Sequence, residues 1–247
     1  MLPRAITTIT IDAGRAMFNY RFRPKFYLGD PINIARLYSR MGSDEVLVLD
    51  RSPKLFLEDF RPAYLGSVCR QVSTPVSYGG GLKAFDDVVW AFRAGVDRVV
   101  FNDSSKYALD LIEQASQVYG RQAVVGMVNY DVRPWRKRAR LGGTSESLAG
   151  RIRDLTDAGV GEIFLQSVNR SGTRRGLDTS RVKSFPALSK IPISISGGAR
   201  DLTDFDAAFK FGFSAVAASS IFALDSSGKT PLIGYLSEDD RRRMGWL

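Results

Sequence analysis

The sequence predicts an α/β fold, a closed (β/α)8 barrel built from two similar half-barrels, and two observations carry that expectation. The first is an internal repeat. Gly79-Gly80-Gly81 follows the strand-like Pro75-Val76-Ser77-Tyr78, and Ser196-Gly197-Gly198 follows Pro192-Ile193-Ser194-Ile195. Gly81 and Gly198 stand 117 positions apart, as do Glu45 and Glu162, and Asp103 and Ser220. A period of this length marks two fused copies of one large block rather than a solenoid. The second observation is the alternation of strand and helix patterns along all 247 residues, a length close to the roughly 250 typical of a (β/α)8 barrel.

Taken in order, runs rich in β-branched residues predict eight strands, near 5–11, 45–49, 75–78, 98–102, 122–128, 162–167, 191–195 and 214–218. Between them, helical spacing of apolar residues recurs in the segments beginning at Pro31, Phe85 and Phe205. Gly42, Gly95, Gly120, Gly159 and Gly212 stand where helices should stop. An open doubly wound sheet is the alternative, but it does not predict two equal halves with glycine turns at equivalent places. No linker divides the halves, so residues 1–247 are expected to form a single barrel domain. The longest aperiodic stretch, 131–144, follows the fifth strand and is expected to be a loop on the catalytic face.

Composition bounds the function. The chain is 44% hydrophobic and 25% charged, with a net charge of +9 and no histidine. Lacking histidine, any proton transfer must use carboxylates, hydroxyls or backbone, and no metal or cofactor is expected. Cys69 lies in an apolar helical pattern and reads as a structural thiol with no histidine to activate it. The positive balance suits an anionic ligand. Nucleic acid is not expected, because the basic runs Arg133–Arg140 and Arg241–Arg243 sit in no recognition motif and read as a solvated loop and a frayed terminus. No apolar run is long enough to span a bilayer, and Met1-Leu2-Pro3-Arg4 leads straight into a strand, so a cytoplasmic protein without a membrane partner is expected. The two glycine turns, each at a strand's carboxyl end, suit the backbone capture of two phosphate groups.

Seven stretches then carry a resemblance: Gly29-Asp30-Pro31, Asp44 to Asp50, Gly79-Gly80-Gly81, Gly161-Glu162-Ile163, Arg170-Ser171-Gly172-Thr173, Ser196 to Ala199 and Ala217-Ala218-Ser219. Their order and spacing resemble the cyclase subunit of imidazole glycerol phosphate synthase, a duplicated TIM barrel that works in a heterodimer with a glutaminase subunit. The resemblance implies that ammonia enters the bottom of the barrel and reacts at the top. It implies phosphate sites at Gly81, Asn102 and Asp103, and at Gly172, Gly198, Ala218 and Ser219. It also implies an entrance ring of Arg4, Glu45, Arg98 and Glu162.

The departures are specific. Thr10 and Asn129 occupy the positions of the family's two catalytic aspartates, and neither can cycle a proton near neutral pH. Asp103 stands where the family has a small hydroxyl residue, and a carboxylate there repels phosphate unless a cation intervenes. Asp12 and Asp131, two positions beyond the lost pair, share its strand parity and are the candidate displaced acid and base. The segments Tyr27 to Asn33 and Tyr78 to Gly81 resemble the variant subgroup associated with amidation of surface-polysaccharide sugars. That resemblance implies a separate amidotransferase partner and an anionic, phosphate-bearing or nucleotide-sugar ligand. The alternatives are a catalytically silent scaffold and a residual cyclase of histidine biosynthesis.

Overall fold

A computed structural model describes residues 3–52, 64–103, 108–130, 147–180 and 182–246. Ten strands form one sheet. β1 (Arg4–Asp12) is followed by β2 (Arg15–Tyr20) and β3 (Arg23–Gly29), then β4 (Glu45–Asp50), β5 (Val76–Gly79), β6 (Arg98–Asn102), β7 (Val124–Tyr130), β8 (Glu162–Ser167), β9 (Ile193–Ser196) and β10 (Ala215–Ala218). β1 and β4 to β10 pair in parallel in chain order, and β10 returns to β1, Arg4 opposite Ala215 and Thr7 opposite Ala218. The result is a closed eight-stranded parallel barrel, and all eight strands fall where the sequence places them.

Helices alternate with the strands: α1 (Pro31–Arg40), α2 (residues 64–71), α3 (Phe85–Arg93), α4 (Ala108–Tyr119), α5 (Leu148–Ala158), α6 (Phe185–Leu188), α7 (Leu202–Lys210), α8 (Ser220–Ala223) and α9 (Glu238–Arg243). Local chemistry sets their ends. Asp30 caps α1 by accepting the Asn33 N–H at 2.9 Å, with Pro31 at the first helical position, where a missing N–H costs nothing. Ser147 caps α5, and Gly159 ends it in the left-handed region at φ 114°. Most buried apolar residues lie between strands and helices, including Ile9, Val46, Val99, Leu155 and Phe205.

Two features depart from expectation. β2 and β3 form an antiparallel hairpin that the sequence does not announce, joined to β1 through Ala13–Gly14 and turning at Arg21–Phe22. Both turn residues have positive φ, 51° and 65°, a conformation that hairpin turns normally assign to Asn or Gly. The second departure is the C-terminal segment, which is not frayed. Arg241 pairs with Asp44 at 3.0 Å and reaches the Tyr235 hydroxyl, which donates to the Ala5 carbonyl at 2.6 Å. Trp246 packs against Phe205 and Phe209 of α7. The other basic run, Arg133–Arg140, lies outside the described residues. Among the described residues no helix is long and apolar enough to cross a membrane.

Gly161 bonds the Val124 carbonyl through its N–H at 2.9 Å, and a Cβ there would run into the Arg121 carbonyl oxygen. Gly161→Ala should therefore lower stability by about 1–3 kcal/mol. The measurement is a urea unfolding curve, with a reduced midpoint and an unchanged slope.

Candidate functional site at the barrel mouth

Side chains alternate along each strand, so every second residue faces the barrel axis. From bottom to top these residues change character in step. The lowest tier is charged: Arg4, Glu45, Arg98 and Glu162 begin β1, β4, β6 and β8. Above it lies an apolar plug of Ile6, Leu47, Val100, Val125, Met127, Phe164, Ala215 and Ala217, with Leu49 packed against it. The top tier is polar and uncharged, with Thr10, Asn129 and Gln166 facing the mouth.

The four charges of the lowest tier form a closed ring. Arg4 bonds Glu45 at 2.8 Å and Glu162 at 2.6 Å, and Arg98 bonds the same two carboxylates from the other side. Ser77 donates to Glu45 at 2.5 Å, and Ser194 donates to Glu162. Burial by itself would lower the Arg98 pKa and raise that of Glu162. The opposite charges win, holding Arg98 above and Glu162 below their ordinary values.

At the other end the mouth has two lobes. The larger, about 400 Å³, is lined by the Gly79–Gly81 turn, Asn102, Asp50, Arg51, Lys83, Thr10, Asn129 and Gln166, among others. The smaller, about 50 Å³, is lined by Gly172, Gly197, Gly198, Ala218 and Ser219. The β2–β3 hairpin roofs both: Asn19 borders each lobe, and Phe22 borders the larger. Its tip is tied down by Arg21 N–H to the Ser171 carbonyl at 2.8 Å and by the Arg51 guanidinium to the Phe22 carbonyl at 2.6 Å. A Cβ on Gly172 would run into the Asn19 carbonyl oxygen, so a glycine at 172 is what lets the hairpin close.

The sequence-derived candidates are distributed as follows. Gly81 and Asn102 line the larger lobe, and Gly172, Gly198, Ala218 and Ser219 line the smaller. Thr10 and Asn129 share the larger lobe. Asp103 is buried and ion-paired with the buried Arg151 of α5, which also donates to the Asn129 carbonyl at 3.1 Å. Burial pulls the Arg151 pKa down only to about 10, so it stays charged at neutral pH and supplies the cation that the Asp103 carboxylate requires. Asp12 stands opposite Arg15 at the neck of the hairpin and is not among the residues lining either lobe. Asp131 lies outside the described residues. The Cys69 thiol is partly buried and pushed up to about 11 by burial and by Asp97, which keeps it protonated near neutral pH.

Sequence reasoning missed Asn19, Phe22, Arg151 and Asp50 as parts of the site. Asp50 is the one carboxylate among the described residues of the larger lobe. It is held by the Ser52 N–H at 2.9 Å and by the Tyr64 and Tyr78 hydroxyls. Its position at the end of β4 was a readable signal, since strand ends at this face are where barrel sites are built.

Residues 4–227 match the family described as histidine biosynthesis protein. The chain is 32% identical over 227 residues to the imidazole glycerol phosphate synthase subunit HisF of Streptomyces griseus, covering 89% of each chain. It is 31% identical over 230 residues to the subunit of the same name from Frankia casuarinae, again covering 89% of each. A Pseudomonas aeruginosa protein provisionally named imidazole glycerol phosphate synthase subunit hisF2 is 30% identical over 227 residues, spanning 87% of this chain and 88% of that one.

Two outcomes follow from the geometry. The folded pKa of Glu162 lies below its unfolded value, so its contribution to stability is complete above about pH 5 and is lost as pH falls through the depressed folded value. Glu162→Gln should destabilise by about 3–5 kcal/mol at neutral pH, by leaving Arg98 and Arg4 half-paired, and should flatten the acid limb of a stability-against-pH curve. Gly172→Ala should lift the hairpin without unfolding the barrel, read as faster amide exchange at Arg21 with the exchange of β7 and β8 unchanged.

Proposed function

The chain belongs to the histidine biosynthesis protein family, and from that premise we propose that it is a cyclase-like subunit that docks a glutaminase on its N-terminal face and passes ammonia along the barrel axis. The observation that carries this reading is the closed ring of Arg4, Glu45, Arg98 and Glu162. Desolvating four charges is costly even when they are paired, and a well-packed apolar tier would close the barrel bottom at less cost. Keeping the ring while losing both catalytic carboxylates favours passage and docking over cyclisation.

The mouth supports the same division of labour. Thr10 and Asn129 cannot act as acid and base, whereas Arg51 and Lys83 in the larger lobe favour an anionic ligand. We assign the ammonia to amidation of a surface-polysaccharide sugar, carried out with a separate amidotransferase. The segments Tyr27 to Asn33 and Tyr78 to Gly81 support that pathway.

Purified barrel and its cognate glutaminase should co-elute at micromolar concentration, and glutaminase turnover should rise when the barrel is present. Failure of both would remove the ammonia-delivery reading. The isolated protein should not cyclise the histidine-pathway intermediate, even with excess ammonium salt. Turnover appearing only in a Thr10→Asp, Asn129→Asp double variant would show that the ligand lobes still work and that proton transfer alone is missing.

A further inference from the structure

From Arg15 to Gly29 the hairpin carries four basic residues, five aromatic residues and no acidic one. Its inner side serves the barrel: Phe18 is buried against Phe26, and Phe22 borders the larger lobe. The outer side does not. Tyr27 is 55% exposed and Tyr20 36%, and the side chains of Arg21, Arg23 and Lys25 stand exposed beside them. Arg21 lies over the Tyr20 ring at 5.3 Å and Lys25 at 5.7 Å, while Arg23 is opposite Tyr20 in the hairpin register. Among the described residues none of these three cations pairs with a carboxylate.

The positive surface continues past the hairpin tip. Arg21 is tied by its N–H to the Ser171 carbonyl, and in that neighbouring loop Arg170 donates to the Arg175 carbonyl and Arg174 to the Asp225 carbonyl, both at 2.7 Å. Guanidinium groups held by carbonyls are fixed in place without being neutralised, so their field reaches solvent. The surface is also ordered before anything binds, because both strands are laddered and the tip is held by Ser171 and Arg51. A preformed face loses little freedom on association, and tyrosine and arginine are the residues on which protein interfaces most often turn.

We propose that the outer face of the β2–β3 hairpin, with the Arg170–Arg175 loop beside it, docks an acidic surface of the enzyme that consumes the ammonia and holds that enzyme over the barrel mouth. The inference rests on the delivery reading above and adds to it the surface on which the second partner sits. Charge complementarity sets the sign of the partner's surface. A stacked nucleobase is disfavoured, because Arg21 and Lys25 already cover part of the Tyr20 ring. Strand addition is disfavoured too: β3 is the last strand of the sheet, and Pro24 and Lys25 blunt its free edge, so a partner meets side chains instead. The place fits the task, since the hairpin roofs a mouth in which Thr10 and Asn129 leave no acid and base at the family's positions.

The test measures binding of the purified barrel to its cognate amidotransferase at low and physiological salt, alongside amidation in the reconstituted system. Affinity should fall as salt rises. Arg23→Glu and Lys25→Glu should each weaken binding about tenfold, as reversal of a charge at an interface does, and Tyr27→Ala about thirtyfold, as loss of an aromatic anchor does. Arg153→Glu, which makes the same change in net charge on the exposed side of α5, should bind as the unaltered protein does. The hairpin variants should slow amidation driven by glutamine while leaving amidation driven by ammonium salt, and the stimulation of glutaminase, unchanged. Hairpin variants that bind and transfer as the unaltered protein does would overturn the docking surface, as would reversals that weaken only the binding of a single-stranded oligonucleotide. If docking fails while the barrel still stimulates its glutaminase, ammonia delivery stands and this surface is what falls. If stimulation fails while the hairpin variants still weaken amidotransferase binding, the surface stands and the delivery reading is what falls.

Discussion

Closure of β10 onto β1 is the constraint from which the rest of this molecule follows. Four residue pairs, Arg4 with Ala215 through Thr7 with Ala218, complete the parallel ladder and remove both edges of the eight-stranded barrel. Once the sheet is a cylinder, strand alternation permits one inward set per strand, and a slip of one residue would turn every inward side chain outward. Charge, apolar plug and neutral mouth are therefore three readings of one register. Arg4, Ile6, Thr8 and Thr10 on β1 display all three, as do Glu162, Phe164 and Gln166 on β8.

Opposite charges in poor solvent recur at both ends, with different consequences. At the bottom, two arginines and two glutamates share one another, so no single pair holds the closure. At the top, Asp103 and Arg151 neutralise each other behind the first glycine turn. Arg151 thereby converts a carboxylate that would repel an anion into part of the wall, and ties α5 to the ends of β6 and β7. The positive charge lining the larger lobe then comes from Arg51 and Lys83, residues of the loops following β4 and β5.

What the sequence disclosed follows the same physics. Strand positions were legible because β-branched runs punctuated by glycine have few other uses, and the tiers were implicit in strand parity. The hairpin was hidden because its turn at Arg21–Phe22 uses left-handed backbone without glycine or asparagine, and its cost is met by contacts to Ser171 and Arg51 far along the chain. Asn19 was hidden with it. The partner of Asp103 was equally out of reach, since Arg151 stands 48 positions away on α5 and nothing local marks it. Thr10 and Asn129 were found through resemblance to a family; their residue types alone would have said only polar and inward.

The C-terminal segment carries one further consequence. The match to the family model ends at residue 227, yet Tyr235, Arg241 and Trp246 lie beyond that point and hold the starts of β1 and β4 and the Phe205 and Phe209 rings of α7. A protein trimmed at residue 227 would leave Asp44 without its arginine beside the charged ring at the barrel bottom, and Phe205 and Phe209 bare of their indole. Affinity tags and fusion partners therefore belong beyond Trp246 on a long spacer and not at a trimmed end, or they will displace these contacts from the lower rim.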